Sequence, residues 1–245
     1  MATSLVLTSA IEPQDTAQVL SYHERRTVLT VTDMDGSQEW TVENAETEAF
    51  LDNRTAWPLA WSRDSKHLYF THREGGNDGC FGTDDFYGTD LLRFSLADAQ
   101  ATSLVPSVGY WLALSPDESQ LAYLNSDNLI TTDLVVRNLV TGAERRTPVE
   151  ERVQQPDSRA TNLIWSPDGK AILYTVKLAV CGNGPPSHSI VRIEIDTLHR
   201  KVLIHEDARR FVTTKWDSSA KVTLQDKDGK QWWMNPTTGQ VTEMQ

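Results

Sequence analysis

Short runs of alternating apolar and polar residues fill most of the chain, the period of half-buried strands, while the 3.6-residue period of helices is nearly absent. Three turn-like segments interrupt these runs: Trp61-Ser-Arg-Asp-Ser-Lys66, Leu114-Ser-Pro-Asp-Glu-Ser119 and Trp165-Ser-Pro-Asp-Gly-Lys170. Each leads into a short apolar strand, His67-Leu-Tyr-Phe-Thr71, Gln120-Leu-Ala-Tyr-Leu124 and Ala171-Ile-Leu-Tyr-Thr175. A further step of the same length reaches Trp216-Asp-Ser-Ser-Ala-Lys221 before Val222-Thr-Leu224. A step back from Trp61 reaches Ser9–Thr16 before Gln18-Val-Leu20. A fixed period of this length marks a repeat architecture, here of five units with a degenerate first and last.

A second landmark recurs within each unit: Asp35-Gly36, Ala97-Asp98, Thr141-Gly142, Thr197-Leu198 and Thr238-Gly239. Small and turn-forming residues between alternating runs predict hairpins. Each unit therefore reads as four strands; in the third they are Tyr110–Leu114, Gln120–Leu124, Leu134–Leu139 and Glu144–Thr147. One four-stranded sheet cannot bury both faces, but sheets packed radially can. The expected fold is all-β, a five-bladed β-propeller of four-stranded antiparallel blades. A single domain over 1–245 is expected, with blades at about 3–46, 47–106, 107–150, 151–207 and 208–245. With no strand left over, closure would rest on packing blade five against blade one.

The Trp/Leu-Ser-Pro-Asp-Gly/Glu segment followed by an apolar strand resembles the WD40-like (PD40) repeat of TolB-like propellers. The likeness is clear in blades two, three and four, whereas blades one and five lack the Ser-Pro-Asp turn. The resemblance implies an interaction scaffold or sensor, often extracytoplasmic (periplasmic or secreted), that holds a protein or peptide at the channel face. In the repeat itself Pro116 and Pro167 pre-set φ, and Asp117 and Asp168 are placed to bond nearby backbone N–H groups, a structural role. Trp61 and Trp165, in matching register, are expected in the core between blades.

Function on such a frame belongs to its loops. Two connections between second and third strands are long: His72–Asp90 in blade two and Val180–His188 in blade four. The first carries Asp84, Asp85, Phe86 and Tyr87, the second His188, and these are candidate contacts. Asp78, Asp84, Asp85 and Asp90 are weak candidates for calcium, because their order does not match an EF-hand. Cys80 and Cys181 occupy comparable positions on the two loops, which leaves two readings: a disulfide, which would imply an oxidising compartment, or two unpaired thiols separated by the intervening blade. Trp57, Tyr110 and Trp111 begin the first strands and are aromatic candidates for the channel mouth. Trp232 and Trp233 are adjacent on a strand, so one points inward and one outward.

Composition narrows the function classes. The formal charge of −11 and pI near 5.0 argue against a nucleic-acid partner, which requires a basic face. No apolar run approaches a membrane span, and the first residues lack the basic and apolar segments of a signal peptide. The chain is expected to be either cytoplasmic or a mature domain of an exported protein, and a monomer. No Gly-x-Ser-x-Gly elbow or His-Glu-x-x-His motif is present. The first strands carry an acid only at Asp217, too few for the paired carboxylates of a glycosidase. The resulting expectation is a non-catalytic propeller that binds a protein or peptide partner, with a metal-dependent hydrolase or lyase using loop carboxylates as the alternative.

Overall fold

A computed structural model describes residues 3–6, 16–23, 26–33, 38–46, 54–74, 89–127, 130–149, 158–179 and 184–244. The described secondary structure is twenty β-strands in five four-stranded antiparallel sheets. The first sheet contains β1 (Thr3–Val6), β2 (Thr16–His23), β3 (Arg26–Asp33) and β4 (Glu39–Glu46). The second contains β5 (Arg54–Trp61), β6 (His67–Glu74), β7 (Thr89–Ser95) and β8 (Gln100–Val108). The third contains β9 (Tyr110–Leu114), β10 (Gln120–Asp127), β11 (Ile130–Asn138) and β12 (Glu144–Pro148). The fourth contains β13 (Arg159–Trp165), β14 (Ala171–Leu178), β15 (Ser187–Glu194) and β16 (Arg200–Asp207). The fifth contains β17 (Val212–Ser218), β18 (Lys221–Gln225), β19 (Gln231–Met234) and β20 (Val241–Glu243). Each is a meander, with every strand paired to the one before it.

The repeated turn segment has one hydrogen-bond design in three sheets. Ser115 Oγ donates to Asp117 Oδ1 (2.6 Å) and accepts from the Gln120 N–H (2.9 Å), while Asp117 Oδ1 also accepts from the Ser119 N–H (3.2 Å). Ser62 and Asp64 repeat the pattern before β6, and Ser166 and Asp168 before β14, again at 2.6 Å between serine and aspartate. The serine hydroxyl is the main reason that Asp64, Asp117 and Asp168 titrate below the usual carboxylate range. These aspartates hold the turn that starts the second strand, as their place in the repeat predicts. In the fifth sheet Asp217 instead accepts from Thr223 Oγ1 (2.7 Å), in keeping with its degenerate sequence.

The chain divides into two compact units, with the boundary at Tyr110/Trp111. In the unit that holds the first two sheets, Leu29, Val31 and Val42 pack with Ala56, Trp61, Leu68, Phe70 and Phe94, all buried. In the unit that holds the other three, Leu173, Ile190 and Ile204 of the fourth sheet meet Phe211, Trp216, Val222, Leu224 and Met234 of the fifth. Trp165, buried as expected, bridges the third and fourth sheets by donating from Nε1 to the Ala113 carbonyl (2.8 Å). Side chains near the sheet margins add clamps onto neighbouring backbone, Arg145 to Ile195 O (2.8 Å) and Lys201 to Thr237 O (2.7 Å).

A feature not read from the sequence is an irregularity in the first strand of the second, fourth and fifth sheets. Pairing shifts between Pro58 and Ala60, between Thr161 and Ile164, and between Thr213 and Lys215. Asn162 there has φ of 55°, as does Trp111 at the matching place in β9. Asparagine tolerates this left-handed backbone, but a bulky tryptophan does so only under constraint from its surroundings. Bulges at matching positions bend β5, β13 and β17 and turn their side chains relative to a regular pleat.

Candidate functional site

The fourth sheet carries an unusual cross-strand row at the end where β13 begins. Arg159 lies opposite Lys177, Lys177 opposite His188, and His188 opposite Asp207. Directly opposed residues in antiparallel strands project from one face, so four ionisable side chains line up across all four strands. The next row inward is Thr161, Thr175, Ile190 and Ile204. Beyond it begins the apolar core shared with the fifth sheet. The row thus forms the polar rim of the interface between these two sheets. Arg159 is 2% exposed, whereas Lys177, His188 and Asp207 are half-buried.

The segment from Asp207 to Phe211, which links the two sheets, closes over this rim. His188 Nδ1 lies 3.1 Å from the Phe211 carbonyl. A carbonyl only accepts, so Nδ1 carries the proton and Nε2 is left with its lone pair. Burial pushes the His188 pKa down from 6.5 to about 4. Hydrogen bonds to the Phe211 and Arg210 backbone partly offset this, and the charges of Lys177 and Arg210 add to it. The ring is therefore neutral near pH 7. Asp207 accepts two bonds from Arg209, from Nε to Oδ1 (2.9 Å) and from Nη2 to Oδ2 (2.6 Å). That bidentate pair is the main reason its pKa is depressed.

Held in this way, the Arg209 guanidinium stacks 4.5 Å from the Phe211 ring centroid and 4.9 Å from that of Trp232. Phe211 and Trp232 meet edge to face, with centroids 5.5 Å apart. Trp232 Nε1 in turn donates to Asp226 Oδ2 (2.9 Å). Burial opposes ionisation of Asp226, but this bond and those from the Lys230 and Asp228 N–H groups prevail and lower its pKa. Two carboxylates thus fix the two ends of one cation–aromatic stack. Each such contact contributes about 0.5–1 kcal/mol at a partly exposed site; the larger consequence is orientation, because the fully buried Phe211 and the half-buried Trp232 hold the exposed Arg209 guanidinium in place.

Of the sequence-predicted residues, the structure brings His188 into this site. Trp57 packs against the core of the first unit, and Trp111 takes a left-handed backbone in β9 (φ 55°). Tyr110 begins β9, and Asp90 is half-buried in β7. Asp78, Asp84, Asp85, Phe86 and Tyr87, with Cys80 and Cys181, lie outside the described residues. Among the described residues no group of three or more His, Cys, Asp or Glu side chains is placed to hold a metal ion. Trp232 is the inward member of its pair, and Trp233 the outward one, 41% exposed with Lys221 Nζ 3.4 Å from its centroid.

Arg159, Lys177, Asp207, Arg209, Arg210 and Phe211 were not read from the sequence. The row depends on register across four strands separated by loops of different length, and no local pattern reports it. One local signal was available: the doublet Arg209-Arg210 between an acid and an aromatic, at the start of a first strand.

No family model matches the chain, and no curated protein does. Among solved structures it is similar to a prolyl endopeptidase at 15% identity and a TM-score of 0.62, covering 98% of this chain and 36% of that one. It is similar to an oligogalacturonate lyase solved in complex with manganese (15% identity, TM-score 0.57), covering 92% and 61%. It is also similar to TolB from Acinetobacter baumannii (13% identity, TM-score 0.53), covering 93% and 53%. The chain therefore spans about a third of the prolyl endopeptidase and less than two thirds of the other two. These likenesses correct the expectation of a non-enzyme. The same fold serves in a lyase and in peptidases, so a strand-built frame without a familiar hydrolase motif is no argument against catalysis. No helix is long and apolar enough to cross a membrane. At these identities the likeness shows the fold, and the chain is an all-β propeller with four-stranded antiparallel blades.

Proposed function

We propose that the chain is a five-bladed propeller of PD40-type repeats, as in TolB-like proteins, that captures a protein or peptide on the loop side of its fourth and fifth sheets. The observation that carries this reading is the Arg209–Phe211–Trp232 stack, fixed at both ends by Asp207 and Asp226. The anchored Arg209 guanidinium and the half-buried Trp232, backed by the buried Phe211, lose little conformational entropy on binding, and Arg and Trp are enriched among the residues that dominate interface energetics. The half-buried imidazole of His188 adds an oriented acceptor beside them.

The test is to pan a random-peptide display library on the wild-type chain and on a Trp232→Ala/Arg209→Ala variant whose circular dichroism matches wild type. Sequences enriched on the wild type and not on the variant are the expected result. Equal enrichment on both, or none on either, would remove this face from consideration.

A further inference from the structure

The chemistry of the row across the fourth sheet specifies a ligand group more narrowly than a stack of aromatics does. Four cations gather there, Arg159, Lys177, Arg209 and Arg210, in a chain whose formal charge is −11. Asp207 is occupied by its bidentate pair with Arg209. Asp226 is occupied by Trp232 and by backbone N–H groups. Among the described residues, Lys177 and the Arg210 side chain form no ion pair, although both act electrostatically on His188. The backbone also brings Arg210 to the rim, because its N–H donates to the Asp207 carbonyl (3.0 Å). One row deeper, Thr161 and Thr175 are opposed on the same face and fully buried. Their hydroxyls have no hydrogen-bond partner. A buried hydroxyl left unbonded is unfavourable, so this rim has polar capacity to spare at its floor.

Resting on the reading that this face captures a peptide, we propose that the rim formed by Lys177, His188 and Arg210 receives a free C-terminal carboxylate. The two cations offer charge-assisted bonds to the carboxylate oxygens. His188 Nε2, kept as an acceptor because Nδ1 donates to Phe211 O, takes the N–H of the same terminal residue. A lone anion would meet the Nε2 lone pair unfavourably, whereas a carboxylate with an N–H donor next to it satisfies both kinds of group. A fully ionised phosphate monoester lacks that adjacent donor. An acidic sugar has a carboxylate with a neighbouring hydroxyl and is the competing source of the same chemistry.

The experiment follows the ring signals of His188 by NMR, with the intact chain carrying 15N-labelled histidine and the signal assigned by its loss in His188→Gln. The probes are N-acetylglycine, N-acetylglycinamide and galacturonic acid, each titrated separately. The expected result is a saturable shift with N-acetylglycine and none with the amide. Lys177→Gln should weaken the N-acetylglycine response about tenfold or more, with the remaining histidine signals unchanged to show that the fold is retained. A response to galacturonic acid without one to N-acetylglycine would overturn the peptide terminus as the source. Equal responses to acid and amide, or none to any probe, would overturn the carboxylate site itself. Peptides that enrich on the wild type while N-acetylglycine fails would leave the capture reading standing and this inference refuted.

Discussion

Gly229 and Gly239 allow the packing of the fifth sheet on the fourth to be tested with a matched pair of substitutions. Both lie in turns of the fifth sheet with nearly the same positive φ, +81° and +79°. A Cβ at Gly229 would meet nothing nearer than Gln225 Nε2 at 3.9 Å. At Gly239 it would lie 2.2 Å from the Leu203 carbonyl oxygen and 2.9 Å from its carbon. Those atoms are backbone of β16 and cannot swing aside. The left-handed conformation costs an alanine about 1 kcal/mol at either site. Relieving the overlap at Gly239 requires a backbone shift worth about 2 kcal/mol more. Gly229→Ala should therefore lose about 1 kcal/mol and Gly239→Ala about 3 kcal/mol. In a chain of this size the difference corresponds to roughly 4–8 °C in Tm. Urea unfolding followed by tryptophan fluorescence, with an unchanged m value, measures it directly. Equal losses in the two variants would refute the close approach, and with it the seating that brings Phe211 to His188.

Three further outcomes follow from the same geometry. His188 is neutral in the fold, with a pKa of about 4 against 6.5 when unfolded, so its contribution to stability is complete above pH 6.5 and declines as pH falls towards 4. Screening at the part-exposed ring limits the loss to roughly 2 kcal/mol; His188→Gln should flatten the stability profile in that window relative to wild type, and parallel profiles would contradict it. Ser166→Ala removes the hydroxyl that donates to Asp168 and accepts from Ala171 N–H, which should cost about 1–2 kcal/mol by chemical denaturation. It should also raise the Asp168 pKa towards its ordinary value, measurable by NMR titration; an unmoved carboxyl signal would count against the turn design. Trp165→Phe loses the buried bond to Ala113 O and should cost about 1–3 kcal/mol, whereas a loss near zero would mean that the indole does not tie the third sheet to the fourth.

Much of the fold was legible because its design repeats. The Ser-x-Asp turn recurs with the same hydrogen bonds before β6, β10 and β14, so three local copies reinforced one reading. The strands read in the third unit fall within the observed β9 to β12, at most a residue or so beyond. The bulges at Pro58, Asn162 and Thr213 were not legible, because they are set by pairing with a neighbouring strand and not by a local glycine. The site was less legible still. His188 stood out by its loop, but Arg159, Lys177 and Asp207 become its neighbours only through the register of four strands. Aromatic content points to Trp57 and Trp111, but Trp57 packs on the core of the first unit and Trp111 sits in left-handed backbone of β9. The pair that forms the stack, Phe211 and Trp232, comes together only when the fifth sheet folds.

Hydrogen–deuterium exchange with a panned peptide reports where on the chain the ligand sits. Capture on the loop side of the fourth and fifth sheets should add protection over residues 187–190, 207–213 and 225–232, the segments that carry His188, Arg209, Phe211, Asp226 and Trp232. Protection confined to the opposite turns at 196–199 and 236–240, or no change in any of these segments, would contradict it.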